Sequence, residues 1–208
     1  MTDQRTIGIV LFDGAEELDF VGPYEALAMF AKYIDTTWRV VTVSQTGGPV
    51  SGGHDLRVEA DLSFEDCPPL DVLLIPGGLG TREEVDNATM IEFVRRQGEG
   101  SMWVTSVCTG AFILSRAGFL NGRRATTHWG AIDRLREEPG VTVVQERFVR
   151  DGNVVTAAGV SAGIDMALYL IGQLKDEEAA RSVQKLMEYY PEPPYAAAAS
   201  VAAGKGAS

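Results

Sequence analysis

The chain has 208 residues, 45% hydrophobic and 23% charged, enough for one domain with a full core. Its formal net charge of −11 argues against nucleic-acid binding, which rests on Lys and Arg neutralising phosphates, and against docking on anionic lipid. No apolar run is long enough for a signal peptide or a membrane span, so a cytoplasmic protein is expected.

The polar start runs into a first predicted strand, Ile7 to Phe12. Further strands are expected at Arg39 to Val43, Val72 to Pro76, Met102 to Val107 and Val154 to Ala157. These runs lack polar alternation, which predicts strands covered on both faces, as in a parallel sheet. Helices are expected between them, at Glu16 to Tyr33, Thr81 to Gln97, Thr109 to Ala117, Ile132 to Glu137 and Ser161 to Gly172. Such alternation argues for a doubly wound α/β sandwich. Two stretches depart from it. Val50 to Leu62, with Gly52-Gly53, reads as a hairpin or two short strands. Val141 to Val149 and Val154 to Ala157 flank Asp151-Gly152, a hairpin turn signal, so the sheet is expected to be mixed at its edges. No linker interrupts residues 1–190, which are expected to form one domain. Pro191-Glu-Pro-Pro194 then ends any helix, and residues 191–208 read as a loose tail rich in Pro, Ala and Gly.

The chain has two cysteines, Cys67 and Cys108, in no metal-ligand spacing, so no metal site is expected. Cys108 follows an apolar strand and precedes Thr109-Gly110 and a short helix, the layout of a nucleophile elbow. The C-terminal edge of a parallel sheet is where ligand sites form, and a helix N-terminus favours a thiolate. A small thiol packed under a helix fits the same local sequence as well. Gly77 and Gly78 end the preceding strand, where close-approaching N–H groups can stabilise developing negative charge; an ordinary strand-to-helix turn is the plainer account. Asp19 lies among Leu18, Phe20 and Val21, so burial is expected to raise its pKa and keep a proton available. Glu16 and Glu17 fit ordinary acidic positions at a helix start. His128 is a candidate base for Cys108 or a structural histidine. His54, in the Gly-Gly hairpin, is expected to be exposed and inert, and Cys67, in an acidic loop, to keep its proton.

In chain order, Ile9 to Asp19, Leu74 to Gly78, Ser106 to Gly110 and Ala125 to His128 resemble the motifs of the ThiJ/PfpI superfamily. The resemblance runs to about Lys185. It implies a flavodoxin-like three-layer sandwich, an elbow cysteine with an acidic partner at Asp19, and a homodimer. Within the superfamily, Leu18 to Leu27 together with Cys108-Thr109 is most similar to the isonitrile-hydrating branch. That implies addition of water to R–N≡C through a thioimidate on Cys108, without metal or organic cofactor. Asp19 would supply protons, and Thr109 and Gly78 would orient the intermediate or water. Phe20, Leu79 and Val160 are the expected pocket walls. Thr109 stands where intracellular-protease members carry His, and Asp19 where deglycase members usually carry Glu; both weaken those readings. Another superfamily enzyme acting on small reactive carbonyls, or a cysteine redox sensor, remains open. Too little chain follows Gln184 for the DNA-binding half of an AraC-type regulator to be expected, and the net charge of −11 opposes that reading.

Overall fold

The computed structural model describes residues 4–195. The elements in chain order are β1 (Arg5–Val10), α1 (Glu17–Met29), β2 (Trp38–Ser44), β3 (Pro49–Ser51), β4 (Arg57–Glu59), β5 (Leu62–Ser63) and β6 (Val72–Ile75). Then come α2 (Thr81–Glu84), α3 (Ala88–Gly100), β7 (Trp103–Val107), α4 (Gly110–Arg116), β8 (Arg124–Ala125) and α5 (Ile132–Arg136). The chain continues through β9 (Thr142–Val143), β10 (Phe148–Asp151), β11 (Val154–Ala157), α6 (Ala162–Leu174) and α7 (Glu177–Leu186).

A seven-stranded sheet runs in the order β10-β11-β7-β6-β1-β2-β5. It is parallel except for β10, which pairs antiparallel with β11 across the Asp151-Gly152 turn. Every residue of β6, β7 and β11 is buried, as their unbroken apolar runs require. The helices form two groups: α1, α6 and α7 pack on one another, and α3 packs with α4. Together with the sheet they make the flavodoxin-like three-layer α/β sandwich. The chain leaves β1 toward β2 on one side and returns to β6 on the other, so the sheet changes direction between β1 and β6. Loops at such a switch diverge and leave a crevice at the carboxyl ends of the strands.

Several expectations change in detail. The long first helix is α-helical only to Met29 and closes with a wider π turn, Phe30–Ile34. Pro23 removes one backbone bond from α1, but its ring packs on α6, where a Cβ on Gly163 would lie 2.9 Å from the Pro23 Cγ. The helix expected over residues 81–97 is two helices. Asn87 starts the second by accepting from the Thr89 and Met90 amides at 3.1 and 3.3 Å. The expected strand over residues 141–149 divides into β9, which pairs with β8, and β10 in the main sheet. Val50 to Leu62 does form a hairpin, β3 with β4. Helix α7 was not expected; Asp176 caps it by accepting from the Ala179 amide at 2.8 Å. Of the expected tail, residues 196–208 lie outside the described residues. Among the described residues, no helix is long and apolar enough to cross a membrane.

Candidate active site

Four loops converge at the carboxyl ends of adjacent strands: those after β1, β6, β7 and β11. Cys108 stands at the end of β7 with φ of 55°, a left-handed conformation that non-glycine residues rarely adopt. The turn is pinned on both sides. The Cys108 amide donates to the carbonyls of Ala157 and Ala158 at 3.1 and 2.7 Å, and its carbonyl accepts from the Thr127 hydroxyl at 2.7 Å. The side chain is 7% exposed and opens into a cavity of about 470 Å³.

Asp19, on the first turn of α1, lies fully buried beneath that cavity. Its Oδ2 accepts from the Gly77 amide at 2.8 Å, while its buried Oδ1 has no hydrogen-bond partner. Gly77 brings the two loops together. A Cβ there would lie 2.7 Å from the Cys108 Cβ and 2.8 Å from Asp19 Oδ2, so only glycine allows the carboxyl and the thiol to sit on either side of it. Next to it, Gly78 takes φ of 116° and bridges to Ala15 in the loop after β1.

Burial is the main influence on both ionisable groups. It raises Asp19 to about 7, against the stabilising Gly77 N–H. It also pushes the Cys108 thiol up to about 12, aided by the neighbouring Asp19 charge. The Thr109 amide and hydroxyl and the Val160 amide face the sulfur and pull the other way, but they do not win. The thiolate expected from the helix N-terminus is therefore corrected. Helix α4 has only 7 residues, and its dipole is outweighed by loss of water around the sulfur and by the carboxylate. The two groups titrate as a pair, and two like charges this close and this dry are strongly disfavoured.

Thr109, Gly78, Leu79, His128 and Val160 line the cavity with Cys108. The glycine amides, however, are already engaged. The Gly78 N–H donates to Thr109 Oγ1 at 3.0 Å and the Gly77 N–H holds Asp19, so both position catalytic candidates instead of facing a ligand. Val160 is β-branched at φ of 38°, an unfavourable backbone that turns its amide toward the sulfur. His128 accepts from the Gly130 amide at 3.2 Å and forms a wall of the cavity. Phe20 is not part of this wall. It is buried with Leu11, Phe12 and Ala15 under the β3–β4 hairpin, because its place on α1 turns it away from Cys108.

Sequence reasoning missed Thr81, Arg82, Trp129 and Arg134, all on the cavity wall. Thr81 is 1% exposed, and its hydroxyl donates to the Gly78 carbonyl at 2.7 Å and lies 3.1 Å from the Thr109 hydroxyl. The only signal was a threonine opening a helix straight after the glycine turn. Outside the cavity, Cys67 keeps its proton because burial raises it to about 11; its nearest charges, Arg96 and Arg39, act in the opposite direction. His54 is exposed, as expected; its Nδ1 lies 2.7 Å from Glu17 Oε2, and that hydrogen bond raises its pKa. Glu16, Glu17 and His54 bring possible ligand atoms within 4.8 Å of one another at the surface, as an ion-paired cluster.

A left-handed cysteine elbow over a buried carboxyl, at the switch point of a parallel sheet, defines a class of α/β proteins built around one cysteine. Residues 5–173 match the DJ-1/PfpI family, and the chain belongs to it. It is similar to isonitrile hydratase of Pseudomonas putida, 40% identical over 190 residues, which cover 91% of this chain and 80% of that one. It is also similar to the HTH-type transcriptional regulator CdhR of Pseudomonas aeruginosa, 32% identical over 177 residues. That match covers 85% of this chain but only 52% of the regulator. Among solved structures, a ThiJ/PfpI family protein from Pseudomonas syringae superposes with a TM-score of 0.88 at 33% identity. The match covers 94% of this chain and 79% of that one.

Proposed function

We propose that the protein is an isonitrile hydratase, converting R–N≡C and water into the N-substituted formamide R–NH–CHO. The observation that carries this reading is the buried Asp19 carboxyl, with an unpartnered oxygen, set beside the Cys108 thiol across Gly77. An isonitrile carbon must gain both a nucleophile and a proton, and this pair supplies one of each. Sulfur bonds to the terminal carbon as the thiol proton passes through Asp19 to that same carbon, giving the thioimidate R–N=CH–S–Cys108. Water then adds across the C=N bond, with Asp19 taking a proton from the water and passing it to the nitrogen to give R–NH–CH(OH)–S–Cys108. Collapse of the adduct breaks the C–S bond as the hydroxyl proton passes to sulfur, releasing the formamide R–NH–CHO and the free thiol. The elevated pKa of Asp19, about 7, suits a group that both gives and takes a proton near neutral pH. Thr109, held by Gly78 and Thr81, orients the intermediate from the opposite side. His128 contributes a wall and no proton transfer.

The 40% identity to a named isonitrile hydratase supports this activity over action on small reactive carbonyls. No metal or organic cofactor enters the reaction. The setting in this reading is a cytoplasmic homodimer, with the exposed Leu18, Val21 and Tyr24 of α1 as its apolar surface. The test is incubation with one aromatic and one aliphatic isonitrile, following the N-formamide. Turnover of at least one is expected, with loss in Cys108→Ala. Absence of turnover with both, or turnover that survives Cys108→Ala, rejects the proposal.

A further inference from the structure

We infer that the cavity over Cys108 selects substrates bearing an organic anion, a carboxylate on the R group of the isonitrile being the chemical class; this rests on the hydratase reading. Arg82 from α2 and Arg134 from α5 both line the cavity. Neither lies within ion-pair distance of an acid among the described residues, and neither side chain donates to a protein oxygen there, whereas Arg39, Arg96, Arg123, Arg124 and Arg150, which also lack an acid partner, all do. Scarcity of acids is not the reason, since the chain has 29 of them against 18 basic residues. The guanidinium of Arg134 lies over the Phe112 ring at 4.1 Å, which holds its plane and leaves its N–H edges available. Glu16 is the one acid on the cavity wall, and it has His54 Nδ1 3.8 Å away.

The reacting atoms do not account for these cations. An isonitrile, its thioimidate and its formamide are all neutral, and the proton steps belong to Asp19. Two unpaired arginines therefore address the remainder of the substrate, and a guanidinium fork matches a carboxylate with two parallel hydrogen bonds. Leu79 and Trp129, both exposed at the rim, offer apolar faces to a spacer between the anion and the isonitrile.

Two measurements test this. The first compares kcat/KM for 4-isocyanobenzoate with that for its methyl ester. The second compares binding of 4-formamidobenzoate and its methyl ester through quenching of Trp129, which is 67% exposed while Trp38 and Trp103 are buried. The acid is expected to be preferred about tenfold in both, the size of one charge-assisted hydrogen bond. The preference is expected to shrink in high salt and to fall toward unity in Arg134→Gln and Arg82→Gln. Equal behaviour of acid and ester, or a preference that survives both substitutions, overturns the inference. If neither isonitrile is turned over while the formamide acid still binds more tightly through the arginines, the hydratase reading fails and the anion site stands.

Discussion

Replacing Asp19 by Asn tests the electrostatics of the site through stability alone. The carboxyl is fully buried and its pKa is raised from 3.8 to about 7, mainly by loss of water. In the unfolded chain it loses its proton near pH 4. Between pH 4 and pH 7 the native state therefore retains a proton that the unfolded state has released. The stabilising contribution is complete below pH 4, declines as pH rises and is gone above about 7. A gap of about three pH units at 1.36 kcal/mol each is about 4 kcal/mol. Asn keeps the shape and cannot titrate. Urea denaturation of both proteins at several pH values isolates the effect, since every other acid is common to both. The stability of the native protein relative to Asp19→Asn is expected to fall by about 4 kcal/mol from pH 4 to pH 7, then level off. Parallel stability curves would show that Asp19 titrates normally and would refute the argument from burial.

The same substitution removes a negative charge beside the sulfur, so Cys108 is expected to alkylate faster in Asp19→Asn than in the native protein at pH 8. The difference is expected to fade below pH 6, and a constant ratio would contradict it. Gly77→Ala places a methyl against the Thr109 amide, the Cys108 Cβ and Asp19 Oδ2. It is expected to cost about 2 kcal/mol or more in a denaturation experiment and to abolish turnover; a stable, active variant would show that the loops are not held this closely. Thr81→Val removes the shorter of the two hydroxyl donors to the Gly78 carbonyl, 2.7 Å against 3.1 Å from Thr109, and should cost about 1 kcal/mol and lower kcat. Thr81→Ser should restore both, and failure of that rescue would point to packing by the methyl group instead.

The fold class was legible because apolar runs such as Val72–Ile75 and Val154–Ala157 have no polar face and so must be covered on both sides. Cys108 and Asp19 were legible too, one by its strand-to-helix position and the other as a carboxylate among apolar neighbours. Phe20 went astray because apolar character says that a side chain is buried, while its angular position on α1 decides against what. Thr81 and Arg134 were invisible for a related reason: nothing local in Thr81-Arg-Glu-Glu or Ile132-Asp-Arg-Leu marks a cavity wall. Their place follows from α2 and α5 both bordering the cavity over Cys108. The ionisation of the pair also belongs to the tertiary level. The sequence by itself put a thiol near a helix start, which lowers a pKa by a short-range dipole. Only the folded chain sealed that thiol from water beside a carboxyl, and desolvation of a charge outweighs the dipole of a helix this short.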